Sequence, residues 1–205
     1  DIIVVNKQAG LLSVATDKME PDTLHSRVVD YLKFEDENAW AFIVHRLDRE
    51  TSGTMIFAKH KRHKDYLQEQ FAERTVHRVY HALVQGKPEQ RSGTIHEWLL
   101  EDKFLRVSAV NKRNPVAKEA ITHWSLEDSD EIASLLMLTI ETGRRHQIRV
   151  GLANLGLPVI GDEQHGAKGN PIGRIALHAT SLELLHPASD DPVRFEATIP
   201  FGPER

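Results

Sequence analysis

The chain has 205 residues, 40% of them hydrophobic, and a formal net charge of −4 at pH 7. No stretch reaches the roughly 20 consecutive apolar residues that a membrane helix needs, and the first residues show no basic region followed by an apolar one, so we expect neither a membrane-spanning nor an exported protein. The sequence contains no cysteine, which excludes disulfides, thiolate nucleophiles and cysteine-containing metal sites. We therefore expect a soluble, cytoplasmic protein with enough apolar residues for one folded domain.

The elements predicted along the chain include more strand than helix. In chain order they are a strand at 1–5, a helix at 23–33, a strand at 54–59, a helix at 61–73, strands at 77–85, 119–126 and 133–140, a helix at 145–155, and strands at 182–186 and 193–199. The stretch 133–140 is apolar on both faces, which indicates a central strand. In the third helix, Ile148, Leu152 and Leu155 define the inner side, and Gly156 is the predicted stop.

This order of elements predicts an α+β fold, with a mixed, mainly antiparallel β-sheet core and flanking helices. No repeat, low-complexity tract or long linker interrupts the chain. A single domain over residues 1–205 is therefore expected.

The most informative stretch is residues 45–53, which read HRLDRETSG. The carboxylate of Asp48 lies between Arg46 and Arg49, and nearby positive charge holds a carboxylate ionised, as a nucleophile requires. Runs of this kind are more often surface ion pairs, here for example between Arg46 and Glu50. The spacing alone therefore leaves both interpretations open.

Two other candidate sites are less convincing. The pairs His60/His63 and His77/His81 could each place two imidazoles on one face, but no third ligand stands nearby, so no metal site is expected. Residues 161–173 contain four glycines but lack the Gly-Lys-Ser/Thr ending of a phosphate loop. Because Asp162 would also repel phosphate, we expect a mobile loop there.

Further motifs accompany HRLDRETSG along the chain. They are NKQAGL at 6–11, VHRVYHA at 76–82, TGRRHQIRV at 142–150, and the short pairs and triplets GD at 161–162, LHA at 177–179 and HP at 186–187. In this order they resemble the motifs of the RluA-type pseudouridine synthases, and the resemblance extends over nearly the whole chain.

The resemblance implies a pseudouridine synthase-like fold with a central active-site cleft, and isomerisation of specific uridines in RNA. On the matching positions, Asp48 is the catalytic nucleophile, Tyr80 the active-site tyrosine, and Arg149 the ionic partner of Asp48. We expect Arg149 to hold Asp48 through a charge-assisted, bidentate bond. The residues expected to contact the substrate are Arg46, which helps to hold the uridine out of the RNA stack, and His45, Arg144, Ile148 and Leu177.

The sequence departs from the family pattern at five positions. Gln8 replaces a proline, Arg78 a lysine, Arg145 a threonine, Gly151 a histidine and His165 a tyrosine. These changes bear on substrate contacts and helix packing, and they leave the aspartate, tyrosine and arginine in place.

The expected partner is structured RNA, with ribosomal RNA favoured over transfer RNA. A net charge of −4 opposes RNA binding, so local basic surface must supply the phosphate contacts. The candidate clusters are residues 59–64 and the arginines at 144, 145 and 149. We expect no additional RNA-binding domain within the chain, no membrane partner, a monomer, and no cofactor, because the isomerisation is redox-neutral.

Two other functions remain open at this stage. The first is a catalytically silent RNA-binding or assembly factor on the same fold. The second is a nucleoside or glycoside hydrolase that combines Asp48 with a second carboxylate, Glu50 or Asp162. A free uracil product would distinguish hydrolysis from isomerisation.

Overall fold

A computed structural model describes residues 1–203 of the chain. The strands are β1 (Ile2–Lys7), β2 (Phe42–Ile43), β3 (Ser52–Ala58), β4 (His77–Gln85), β5 (Ser92–Glu101), β6 (Val107–Val110), β7 (Lys118–Ser129), β8 (Ala133–Ile140), β9 (Leu177–Leu185) and β10 (Pro192–Glu196). The α-helices are α1 (Leu24–Lys33), α2 (Lys61–Ala72) and α3 (Gln147–Asn154). Among these described residues, no helix is long and apolar enough to cross a bilayer.

Backbone contacts divide the chain into two compact units. The first contains residues 1–78 and 179–198, and the second contains residues 79–178 and the segment from Ile199 onward. Each unit thus combines segments that are distant in sequence. The single domain expected over residues 1–205 stays a prediction.

The first unit is built on the fully buried strand β3. Strand β1 pairs antiparallel with β3 from Ile2 opposite Ala58 to Lys7 opposite Gly53, and β2 pairs antiparallel with the end of the same strand. Strand β10 pairs antiparallel with β9. The buried core of this unit consists of Val44, Ile56, Ala58, Leu67, Val76, Leu182 and Leu184.

The second unit contains a sheet with the strand order β4-β8-β7-β5-β6, and its neighbouring strands are antiparallel. Strand β8 lies between β4 and β7, which confirms the central strand predicted at 133–140. The pairings confirm the predicted α+β class with a mainly antiparallel sheet. Strands β2, β5 and β6 were not predicted; β5, for example, buries only Ile95 and Leu99, so its apolar pattern is weak.

Helix α3 begins two residues later than predicted and ends at Asn154. Leu155, expected on the inner side, is instead 47% exposed, because it lies beyond the last helical turn. Gly156 stops the helix as predicted: its φ is +77°, and its N–H donates to the carbonyl of Ala153 at 2.9 Å.

The segment 161–173, expected to be a mobile loop, is held at several points. Gly161 has a φ of +81°, and a Cβ at this position would lie 2.1 Å from the carbonyl oxygen of Arg174. The Gln85 side chain donates to the carbonyl of Lys168 and accepts from its N–H, both at 2.9 Å. The glycines of this segment therefore permit a tight backbone path and do not simply make it flexible.

Candidate active site

Asp48 lies on an irregular loop between β2 and β3 in the first unit. It is half-buried, with the buried Leu47 before it and the exposed Arg49 after it. Its carbonyl oxygen accepts a hydrogen bond from the N–H of Thr51 at 3.1 Å, which closes a turn before β3. The loop thus presents the carboxylate from a turn, not from a helix or a strand.

The residues on each side of Asp48 are fixed by the segment that follows β1. The Ser13 hydroxyl donates to the carbonyl of Leu47 at 2.6 Å and accepts from its N–H at 3.1 Å. Gly10 donates its N–H to the carbonyl of Arg49 at 2.9 Å, and the Arg49 Nε donates to the carbonyl of Gly10 at 3.0 Å. The backbone that carries Asp48 is therefore clamped on both sides.

Lys7, at the end of β1, adds hydrogen bonds to this clamp, the set of bonds that holds the backbone on both sides of Asp48. It is only 1% exposed, and its Nζ donates to the carbonyls of Gln8 at 3.1 Å, Leu11 at 2.7 Å and Arg49 at 2.9 Å. A buried ammonium group needs such acceptors, because unsolvated charge is costly. Gln8, which stands in place of the family's proline, is exposed, so this departure leaves the three contacts intact.

Gly53 shows why the signature ends in glycine. Its φ is +115°, and a Cβ would lie 2.2 Å from the carbonyl oxygen of Ala179 on β9. No side chain fits between these backbones. The glycine that ends the HRLDRETSG motif and the alanine of the LHA motif are thus in contact inside the first unit.

His45 packs within the same unit and is neutral. Its ring stacks on Phe71 with centroids 4.8 Å apart, and its Nε2 accepts the N–H of Ile56 at 3.1 Å. Burial, and then the positive charge of Arg78, lowers the pKa of His45 to about 3. The imidazole therefore supports β3 from the signature motif, and its expected contact with the substrate stays a prediction.

Arg46, expected to contact the RNA, is exposed. Within residues 1–203 it makes no ion pair with Glu50, the salt bridge that the sequence left open. This guanidinium is therefore available to a ligand.

In the second unit, the residues expected to line the base are buried. Tyr80 is 9% exposed on β4, opposite Leu138 of β8. Ile148 is 5% exposed at the start of α3, and Leu177 is 3% exposed at the start of β9. These side chains are therefore held within the fold, and their contact with the substrate stays a prediction.

Arg149 forms a buried, bidentate ion pair with Asp162. The Arg149 Nε donates to one carboxylate oxygen at 2.6 Å and its Nη2 to the other at 2.7 Å, and the two side chains are 4% and 0% exposed. This pairing was not expected, and the ionic bond between Arg149 and Asp48 stays a prediction. Asp162 lies closer along the chain and within the same unit, and it neutralises the guanidinium away from water.

A side-chain network positions the start of α3. Gln147 accepts from the Thr142 hydroxyl at 2.7 Å and from the N–H of Arg144 at 3.1 Å, and its amide donates to Thr122 at 2.9 Å. The exposed Arg144 donates its Nε to the carbonyl of Glu119 at 3.0 Å. The threonine and glutamine of the TGRRHQIRV motif thus hold the backbone at Arg144, just before α3.

His146 and His165 form a second polar pair beside Arg149. Their Nδ1 and Nε2 atoms are 3.1 Å apart, and His146 has a φ of +52° at the N-cap of α3. Burial, followed by the charges of Arg149, His165 and Arg145, lowers the pKa of His146 to about 3. His165, which replaces the family's tyrosine, therefore retains a polar partner for His146.

Two supporting residues were missed or misjudged from the sequence. Ser13 gave no signal, because a lone serine beyond a strand has many roles. Asp162 was recognised only as a landmark in GD and considered as a second catalytic carboxylate; its pairing with Arg149 explains it instead. Among residues 1–203, no group of three or more metal-ligating side chains is present.

Comparisons with known proteins give the same assignment as the motifs. The sequence model for RNA pseudouridylate synthase matches residues 1–154. An uncharacterized RNA pseudouridine synthase of Bacillus subtilis strain 168, YhcT, is 35% identical over 202 residues, which are 97% of this chain and 66% of that protein. The ribosomal large subunit pseudouridine synthase D of Xanthomonas campestris pv. campestris is 35% identical over 222 residues, 100% of this chain and 65% of that protein.

Two solved human structures share the fold. Human RNA Pseudouridylate Synthase Domain Containing 4 has a TM-score of 0.81 at 24% identity, with 97% of this chain and 85% of the other covered. Human RNA Pseudouridylate Synthase Domain Containing 1 has a TM-score of 0.78 at 26% identity, with 98% and 81% covered. The chain spans about two thirds of the length of the two bacterial relatives above. With its motifs and the match over residues 1–154, the chain belongs to the RNA pseudouridylate synthase family, of the RluA type.

Proposed function

We propose that this chain isomerises specific uridines in structured RNA to pseudouridine, with Asp48 as the nucleophile. The observation that carries the proposal is the clamp around Asp48, in which Ser13 and Gly10 hold the backbone of both neighbouring residues. A catalytic carboxylate must be held in place before the substrate arrives, and a loop without such bonds would not hold it.

The reaction sets the requirements for the site. The bond from C1′ to N1 breaks, the uracil turns in place, and a bond from C1′ to C5 forms, while C5 loses a proton and N1 gains one. Asp48 attacks the sugar or assists its deprotonation, and Tyr80 stacks on the uracil and takes part in the proton transfer. No electron is gained or lost overall, so the protein's own side chains suffice and no cofactor is required.

Arg149 retains its proposed role beside Asp48, but with a different geometry. Asp162 occupies its Nε and Nη2, so a bond to Asp48 would fall to Nη1 and would be monodentate. The same ion pair argues against the hydrolase alternative that uses Asp162, because both oxygens of this buried carboxylate are already bound by the arginine.

The proposed substrate is ribosomal RNA. One relative, 35% identical over the full chain, is named as a synthase of the ribosomal large subunit. A uridine within folded RNA must be flipped out of its stack, at a cost of a few kcal/mol. The exposed Arg46, two residues before Asp48, would fill the gap that the base leaves.

The proposal is tested with the purified chain and transcripts of ribosomal and transfer RNA that carry 5-tritiated uridine. Tritium release, followed by mapping of the modified positions, is the expected result, with ribosomal RNA the better substrate. Release of free uracil would instead support the hydrolase. RNA binding without either product, under conditions where a related synthase is active, would support the silent factor.

The role of Arg46 has its own test in the same assay. Arg46→Ala should reduce turnover on a structured RNA by about tenfold and have little effect on a short single-stranded RNA, whose uridine is already unstacked. Equal losses on both substrates would leave Arg46 as a structural neighbour of Asp48.

A further inference from the structure

The second unit contains a cleft of about 380 Å³ that, apart from Arg144, is lined by none of the residues assigned to the reaction. It lies between the end of β5, the strand β6, the start of β7 and the loop before α3. Its lining residues are Leu99, Leu100, Glu101, Val107, Val116, Lys118, Gly143, Arg144 and Arg145.

The charged side chains of this cleft are mainly basic, although the whole chain carries a net charge of −4. The lining contains three basic side chains, those of Lys118, Arg144 and Arg145, and one carboxylate, that of Glu101. Arg145 Nη1 lies 3.3 Å from the Glu101 carboxylate, and the two side chains are 32% and 39% exposed. The pair therefore orients the arginine but leaves it accessible to an anion, and a pair this exposed is weak.

The other part of the lining is apolar. Leu99 and Val107 belong to a buried cluster with Ala120 and Val150, so this floor is rigid. Val116, in contrast, is 65% exposed. An apolar surface beside basic groups matches a nucleotide, which has a flat base and a charged phosphate.

The turn between β5 and β6 adds an aromatic group next to the cleft. Phe104 is 63% exposed, and its ring centroid lies 5.0 Å from the Lys103 Nζ and 5.1 Å from the Arg106 guanidinium. The Asp102 carboxylate accepts the N–H groups of Phe104 at 2.8 Å and Arg106 at 3.0 Å, which fixes the turn. Exposed aromatic rings among basic side chains are typical platforms for unpaired bases.

We propose that this cleft binds an unpaired nucleotide that flanks the target uridine, with its base against Val116 and its phosphate at Lys118 and Arg145. The inference rests on the proposed function only in taking RNA as the ligand. Arg145 stands where the family has threonine, so the phosphate contact is a feature of this chain. The Glu101 carboxylate opposes every anion, so binding of a nucleotide also requires the contact between its base and Val116.

The test compares RNA affinities of variants by fluorescence anisotropy with a labelled oligouridylate of about 12 nucleotides. Lys118→Ala and Arg145→Thr should each weaken binding by about threefold to tenfold and reduce the salt dependence by about one phosphate contact. Arg91→Ala is the matched control, since it removes an exposed arginine just before the opposite end of β5, and it should bind as the wild type does. Unchanged affinity in both cleft variants would overturn the proposal.

Two further probes separate nucleotide binding from general anion binding. Val116→Ser should weaken the binding of oligouridylate but not of an abasic ribose-phosphate oligomer of the same length. Displacement of the RNA by oligoglutamate at equal charge, or equal affinity for the abasic oligomer, would overturn the role of the base. Val116 and Lys118 are exposed, and threonine is the family residue at 145, so all three variants should fold.

The experiments distinguish a wrong cleft proposal from a wrong proposed function. If tritium is released from uridine while all variants bind RNA equally, the cleft proposal is wrong and the activity stands. If RNA affinity depends on the cleft but no pseudouridine forms on any RNA, the proposed function is wrong and the cleft stands.

Discussion

The loop of Asp48 and the start of α3 hold the two charges of the proposed site in different ways. At Asp48, the hydrogen bonds of Ser13 and Gly10 fix the backbone on either side, and the side chain itself is half-buried. At Arg149, the side chain itself is fixed, because Asp162 takes two of its nitrogens in a buried pair. The first arrangement fixes the backbone that carries the proposed catalytic side chain, whereas the second makes the fold depend on the side chain itself.

The physical reason for the difference is desolvation. A buried charge that loses its partner costs several kcal/mol, while a half-buried carboxylate keeps access to water. A substitution at Asp48 should therefore affect chemistry and leave stability alone, and a substitution at Arg149 should affect both. Four predictions test this contrast, from the largest effect to the smallest.

Asp48→Asn should reduce turnover to below about 1% of the wild-type value, because the amide keeps the shape but is not nucleophilic. The free energy of unfolding should change by less than about 1 kcal/mol, because the amide keeps the size of the side chain and leaves the backbone bonds of the loop in place. Tritium release and urea unfolding measure the two quantities. Glu50→Gln, which neutralises a carboxylate two residues away, is the control and should retain turnover. Retention of activity by Asp48→Asn would refute the assignment of Asp48 as the nucleophile.

Arg149→Met should destabilise the protein by about 3–5 kcal/mol, because it leaves the Asp162 carboxylate buried without its partner. Urea unfolding is the measurement. The double variant Arg149→Met/Asp162→Leu should recover part of this loss, since neither charge remains. A loss below about 1 kcal/mol in the single variant would contradict the contrast with Asp48.

Ser13→Ala tests the clamp directly, because it removes both side-chain bonds to Leu47. We expect a loss of about 1–3 kcal/mol of stability and a fall in turnover of about tenfold, as the backbone before Asp48 loosens. Ser189→Ala, at an exposed serine, is the control. Full turnover in a destabilised Ser13→Ala would show that the clamp serves folding only.

The pH dependence of stability should report on His146, which lies beside the buried pair. Its pKa is about 3 in the folded protein against about 6.5 when unfolded, so between these values the unfolded state binds more protons and stability falls as the pH falls. From pH 7 to about pH 5 this histidine should remove about 2 kcal/mol. Asparagine tolerates a positive φ, so the His146→Asn variant should fold and should lose about 2 kcal/mol less stability than the wild type over the same pH range. An equal loss of stability in both proteins would contradict the lowered pKa of His146.

The elements with strong periodicity were predicted well from the sequence. Strands β4 and β8 have the predicted bounds, and the structure's α1 and α2 begin or end within one residue of the prediction. Strand β5 was missed because few of its residues are apolar and buried, and strand β6 because it has only four residues; β5 is stabilised by its pairing with β7. Only part of β9 was predicted, although it runs from Leu177 to Leu185 and most of it is buried.

The family and the candidate residues could be identified from the sequence, because a signature such as HRLDRETSG is local and the order of the motifs along the chain is specific. Tertiary structure alone decided which groups support those residues. Ser13 lies 34 positions before Leu47, and the carboxylate that pairs with Arg149 lies 13 positions after it. Such partners are chosen by burial and by the path of the backbone, since a buried hydrogen-bonding group must be satisfied by whatever the fold brings near it.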